Sequence, residues 1–168
     1  LVVAKALCTA EADRIVAQFQ GQTYENKMLV LQLPSQEGFV DDDKMLFFTK
    51  QSLSNKTIGD VMSGHTWLAS LSPDDYYGPN YLLDIAVASQ YSSPDLVGKS
   101  RYFAAQGSTV ESLGDDYTYQ VVSELPVRQS SVVIDSVVRG TGIEEWLATV
   151  DKGSIKRKRG LSIDQFNY

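Results

Sequence analysis

Two acidic runs bear most directly on chemistry in this 168-residue chain, Asp41-Asp42-Asp43 and Asp74-Asp75. Carboxylates this close can ligate calcium or magnesium through oxygen, although neither run has the spaced acids of an EF-hand loop. Adjacent carboxylates repel one another and mostly mark hydrated turns, so both runs read as solvated, with no metal and no cofactor expected. His65 is the one histidine and Cys8 the one cysteine. That pair cannot build a multi-histidine zinc site or a thiolate cage. Without a GxSxG elbow, His65 also has no nucleophile to serve. The segment Arg139-Gly140-Thr141-Gly142 follows a strand pattern and precedes a helix pattern, the order of an anion site at a helix N-terminus. It lacks the P-loop lysine and the dinucleotide spacing, and a tight turn is the simpler reading. No residue receives a catalytic role, and the chain is expected not to be an enzyme.

Charge distribution points instead to a partner surface. The net charge is -6, yet Lys152, Lys156, Arg157, Lys158 and Arg159 face only Asp151 and Asp164 in the last eighteen residues. A basic end on an acidic body can dock on an acidic protein surface, with steering that weakens as salt rises. Tyr76 and Tyr77 lie in the turn-rich stretch SPDDYYGPN as exposed-looking tyrosines, and tyrosine is favoured at interfaces. These seven residues, Lys152, Lys156, Arg157, Lys158, Arg159, Tyr76 and Tyr77, are the candidate partner-binding set. The negative total argues against nucleic acid and anionic membrane as partners. No apolar run approaches 18 residues, so no membrane insertion is expected. A start at Leu1 rather than Met suggests a removed leader and an exported or imported protein. Asn55-Lys56-Thr57 fits a glycosylation acceptor, a pattern that also arises by chance.

The elements that would position these residues read as α+β, and the length suits one domain over 1–168. Thr9–Gln20 reads as a helix ended by Gly21, with Ala12, Ile15, Val16 and Phe19 on one face. Lys27–Leu33, Lys44–Lys50, Tyr81–Ser89 and Arg101–Gln106 read as strands. Short helices are expected near Thr57–Met62 and Ile143–Val150. Leu1–Leu7 is either an extended lead-in or a further turn of the first helix. Tyr117–Arg139 alternates and then runs β-branched through SVVIDSVV, which predicts a β-hairpin at the middle of an antiparallel sheet.

In this order the elements resemble the PsbP family of thylakoid-lumen photosystem proteins. The residues that carry the likeness are Leu33-Pro34, MLFF, KTIGDV, YLLDIAVAS, GKSRYF from Gly98 to Phe103, and VVIDSVV leading through GTGIEEW. The tip PVRQS and Cys8 depart from the pattern. The resemblance implies an α-β-α sandwich with a central curved antiparallel sheet and flanking helices. It also implies a non-enzymatic accessory subunit or assembly factor, docking on a larger membrane complex in a thylakoid lumen or other extracytoplasmic compartment. SPDLVGKSRYF and SELPVR are similar, more faintly, to extracytoplasmic Cache sensor domains. That likeness implies the alternative, a small-ligand-binding or sensor-type domain.

Overall fold

Successive residues of a strand face opposite sides of its sheet, so a strand with no exposed residue must be covered twice. Leu29–Leu33 (β2) is such a strand, buried at all five positions. Leu29 and Leu31 enter one apolar cluster, while Val30 enters another. Val2–Lys5 (β1) divides likewise, Val3 to one side and Val2 and Ala4 to the other. This computed structural model describes residues 1–91, 93–106 and 109–163, without the side chains of 104–106.

The remaining strands are Met45–Thr49 (β3), Trp67–Leu71 (β4), Leu96–Gly98 (β5), Arg101–Gln106 (β6), Thr109–Gly114 (β7), Gln120–Pro126 (β8), Ser130–Val133 (β9) and Ser154–Ser162 (β10). Eight of the ten described strands form one mixed sheet in the order β3-β2-β1-β4-β9-β5-β10-β8, and β6 and β7 pair as a separate ribbon. Thr9–Gln20 (α1) and Tyr81–Ala88 (α4) pack on the face that buries Leu29 and Leu31. Lys50–Leu53 (α2), Ile58–Val61 (α3), Ser136–Gly140 (α5) and Ile143–Thr149 (α6) pack on the face that buries Val30. No helix among the described residues is long and apolar enough to cross a membrane.

The expected antiparallel sheet is corrected to a mixed one, for β3, β2, β1 and β4 are mutually parallel. A parallel pair needs a crossover of about a dozen residues, and the 12-residue α1 supplies it between β1 and β2. Leu1–Leu7 is therefore no lead-in: it contains β1, near the middle of the sheet. The expected hairpin does not form either. β8 pairs with β10, while β9 lies between β4 and β5. The run SVVIDSVV breaks at Asp135, whose Oδ1 accepts from the Val137 and Val138 amides at 3.0 and 2.9 Å and starts α5. Tyr81–Ser89, expected as a strand, is α4. Its buried residues Tyr81, Leu82, Ile85 and Ala88 follow helical spacing, which an almost uniformly apolar run hides from sequence. α1, α3 and α6 stand where the sequence puts them.

Candidate functional site

Strand direction selects one edge of the sheet. β9 is antiparallel to both β4 and β5, and β10 is parallel to β5, so β5 and β10 run the same way as β1 and β4. From β1 the chain moves through α1 to β2 and β3 on one side, then crosses back to β4 on the other. The gap between the carboxyl ends of β1 and β4 is a topological switch point, where open sheets of this kind bind ligands. A crevice of about 180 Å³ lies there. Lys5 at the end of β1, Leu7 after it, Ser72 to Asp74 after β4, and Leu147, Ala148, Val150 and Asp151 around the end of α6 form its walls. The Leu7 amide donates to Glu11 Oε2 at 2.7 Å, which fixes the turn into α1.

The loop after β4 is held from below by two glutamines, Gln18 of α1 and Gln22 just after it. Gln18 Nε2 donates to the Asp75 carbonyl at 2.8 Å, and Gln18 Oε1 accepts from the Tyr77 amide at 3.0 Å. Buried Gln22 donates to the Gly78 carbonyl at 2.9 Å and accepts from the Leu82 amide at 3.0 Å. From the sheet side, Arg128 Nε and Nη2 each donate to one Asp75 carboxylate oxygen at 2.7 Å, and Nη2 reaches Ser72 Oγ at 3.1 Å. Burial works against the Arg128 charge, but Asp75 outweighs it and lifts the guanidinium above its ordinary pKa. The Tyr77 hydroxyl accepts from the Ser72 amide at 3.2 Å and lies 3.1 Å from both Asp75 Oδ2 and the Arg128 carbonyl. Burial first, then the Asp75 charge, push that phenol well above its usual range.

Asp75 is thereby fully engaged, and Asp74 is not. Asp74 is exposed, and its carboxylate has no hydrogen-bond or ion-pair partner among the described residues, nor has that of Asp151. Asp74, Val150 and Asp151 line both the crevice and a larger cleft of about 1190 Å³ beside it, so they form a ledge between the two. That cleft runs under β6 and β7, past Tyr117, to β8 and Arg128. Among the described residues no three potential metal ligands come together. Asp41 and Asp42 are turn caps: Asp42 Oδ1 accepts from the Lys44 and Met45 amides, and Asp41 Oδ1 from the Phe47 amide. Arg139–Gly142 is likewise a connector, in which the Thr141 carbonyl accepts from the Ile58 amide at 3.0 Å.

The basic cluster lies on β10 and the turn before it. Lys156 pairs with Glu124 at 3.5 Å, Arg157 with Asp135 at 3.6 Å and Arg159 with Asp95 at 2.5 Å. Lys158 is exposed, and Lys152 lines the larger cleft. The two tyrosines part company: Tyr76 is 73% exposed in the cleft wall, whereas Tyr77, expected at the surface, is only 5% exposed. The difference between Asp74 and Asp75 is invisible in sequence, since it depends on an arginine 53 positions away.

No family model and no curated protein matches this sequence. Among solved structures, the chain is similar to TarS residues 1–349 from S. aureus, with a TM-score of 0.59 at 10% identity. The match covers 99% of this chain and 58% of the TarS chain, so this chain spans little more than half of that structure. TarS is a glycosyltransferase of wall teichoic acid. The likeness is one of fold, and it replaces the PsbP resemblance, which no comparison supports. It also overturns the non-enzymatic expectation as a deduction from the PsbP resemblance, because the solved structure that this chain is similar to in fold is that of an enzyme.

Proposed function

We propose that this chain binds a phosphate-activated sugar, in the class of a nucleoside diphosphate sugar, at the β1/β4 crevice and takes part in transferring the sugar to a hydroxyl acceptor. The observation that carries the reading is the ledge of Asp74 and Asp151 between crevice and cleft. Leu7, Leu71, Pro73 and Leu147 give the crevice apolar walls suited to a flat base. The lining also holds Glu11, Asp74 and Asp151, so a diphosphate would enter as its magnesium complex, with Lys5 at the rim and Lys152 across the ledge adding positive charge. Such an ion needs only one or two protein carboxylates, and Asp74, whose carboxylate has no partner among the described residues, would be one of them.

Transfer forms a bond from the acceptor oxygen to the anomeric carbon and breaks the bond from that carbon to the phosphate oxygen. The phosphate leaves with the bonding electrons, and the acceptor proton passes to a carboxylate. Asp151 lines both the crevice and the cleft, exposed and with no hydrogen-bond partner for its carboxylate among the described residues, which suits it to receive that proton. The fold likeness to TarS supports this reaction class. The test is turnover of a panel of nucleoside diphosphate sugars. Asp74→Asn and Asp151→Asn should each lower the rate by about 10²–10⁴-fold, with melting temperature unchanged; wild-type turnover in both variants would sink the assignment.

A further inference from the structure

Resting on the reading that the crevice takes the donor, we infer that the larger cleft is the acceptor site and that its acceptor is a glycan without anionic groups. At about 1190 Å³ the cleft exceeds the range of roughly 300–1,000 Å³ typical of compact small-molecule pockets, so an extended ligand of several rings fits it. Its walls carry Tyr76, Tyr102, Phe103 and Tyr117. Tyr76 is 73% exposed, Phe103 58% and Tyr117 42%, a concentration of aromatic surface that folding alone leaves uncovered. Aromatic faces of this kind stack on the apolar C–H faces of sugar rings.

Charge narrows the choice. Five carboxylates line the cleft, those of Asp74, Asp75, Asp115, Glu124 and Asp151, against Arg128 and Lys152. Asp75 is bound by Arg128, and Glu124 is shared with Lys156. What remains is Asp74, Asp115 and Asp151 against Lys152 alone, an acidic wall that accepts hydrogen bonds from hydroxyl groups and repels phosphate, sulfate or carboxylate on a ligand. A single-stranded nucleic acid would satisfy the aromatic rings but not that field. On the other side of the ledge the donor's phosphates would be shielded from the same acids by their magnesium ion and Lys5, a shield that a phosphate or sulfate on the acceptor would lack.

The test uses immobilised di- to hexasaccharides of glucose, galactose, mannose, N-acetylglucosamine and N-acetylgalactosamine, each beside a sulfated counterpart, with the full chain in solution. Neutral members should bind, and sulfation should weaken them at least tenfold. Phe103→Ala and Tyr117→Ala, both at exposed positions, should weaken the best neutral glycan about tenfold while leaving melting temperature unchanged. Preference for the sulfated forms, no glycan binding, or binding indifferent to both variants would each overturn the inference. A parallel titration with UDP-, GDP- and CDP-sugars reports on the crevice alone, so failure of the acceptor reading is told apart from failure of the donor reading.

Discussion

Arg128 and Asp75, 53 residues apart in sequence, are joined by two parallel hydrogen bonds of 2.7 Å. Three things follow from this fork: it closes the loop after β4 onto the segment that precedes β9, removes Asp75 from the solvent-facing acids, and leaves Asp74 as the open carboxylate of the pair.

Arg128→Lys keeps the charge and loses the fork. Charge-assisted bonds of this kind contribute about 1.5–3 kcal/mol, and Arg128 also reaches Ser72. The variant should melt roughly 4–8 °C lower, measured by scanning calorimetry. An unchanged melting temperature would mean that the loop is held by α1 alone.

Tyr77 and Tyr81 pack with their rings tilted by 58° at 5.0 Å between centroids, yet their hydroxyls differ. That of Tyr77 is hydrogen-bonded on every side, whereas that of Tyr81 is buried with no partner. An unpaired buried hydroxyl costs about 1–3 kcal/mol. Tyr77→Phe should therefore destabilise the protein and Tyr81→Phe should leave it equal or more stable, by urea unfolding. Equal losses in both variants would contradict the difference in pairing.

The same phenols set an alkaline limit. Burial raises both above their ordinary value, so each contributes stability below about pH 10 that is lost as pH rises further. Unfolding free energy should fall steeply above that pH, and Tyr77→Phe should flatten the slope. A slope unaltered by Tyr77→Phe would place the alkaline loss elsewhere.

Gln22 is 3% exposed and bridges the Gly78 carbonyl and the Leu82 amide. Gln22→Ala leaves the Leu82 amide unpaired, at about 1–3 kcal/mol, while the Gly78 carbonyl keeps the Tyr81 amide at 3.0 Å. Hydrogen exchange should accelerate at Leu82 and its neighbours in α4 before it accelerates in β1 or β2. Uniform acceleration through the chain would show that the loop and the sheet open together.

Much of the helix layer was legible in the sequence, and little of the sheet was. α1 and α6 show one-sided apolar spacing, and Gly21 ends α1, which is local information. Strand pairing is not local. β1 is four residues in an apolar heptad, and only the long-range partners β2 and β4 make it central. Leu1–Leu7 read equally as an extended lead-in or a further helical turn, and neither showed the parallel half of the sheet or the switch point beside which Ser72–Asp75 lie. The alternation of Tyr117–Ser123 is real, but half of it lies in a solvent-facing stretch ahead of β8 and at its start, with Tyr119 67% and Val121 78% exposed. The basic run on β10 was legible as charge, while its ion pairs to Asp95, Glu124 and Asp135 were not.

The central claim is that the gap between β1 and β4 holds an activated sugar, and backbone amide chemical shifts of the full chain during titration with nucleoside diphosphate sugars test it most directly. The account predicts shifts that saturate with one sugar nucleotide and cluster on Lys5–Glu11, Leu71–Asp75 and Leu147–Lys152. Shifts confined to β10, or none for any nucleotide sugar at millimolar concentration, would contradict it.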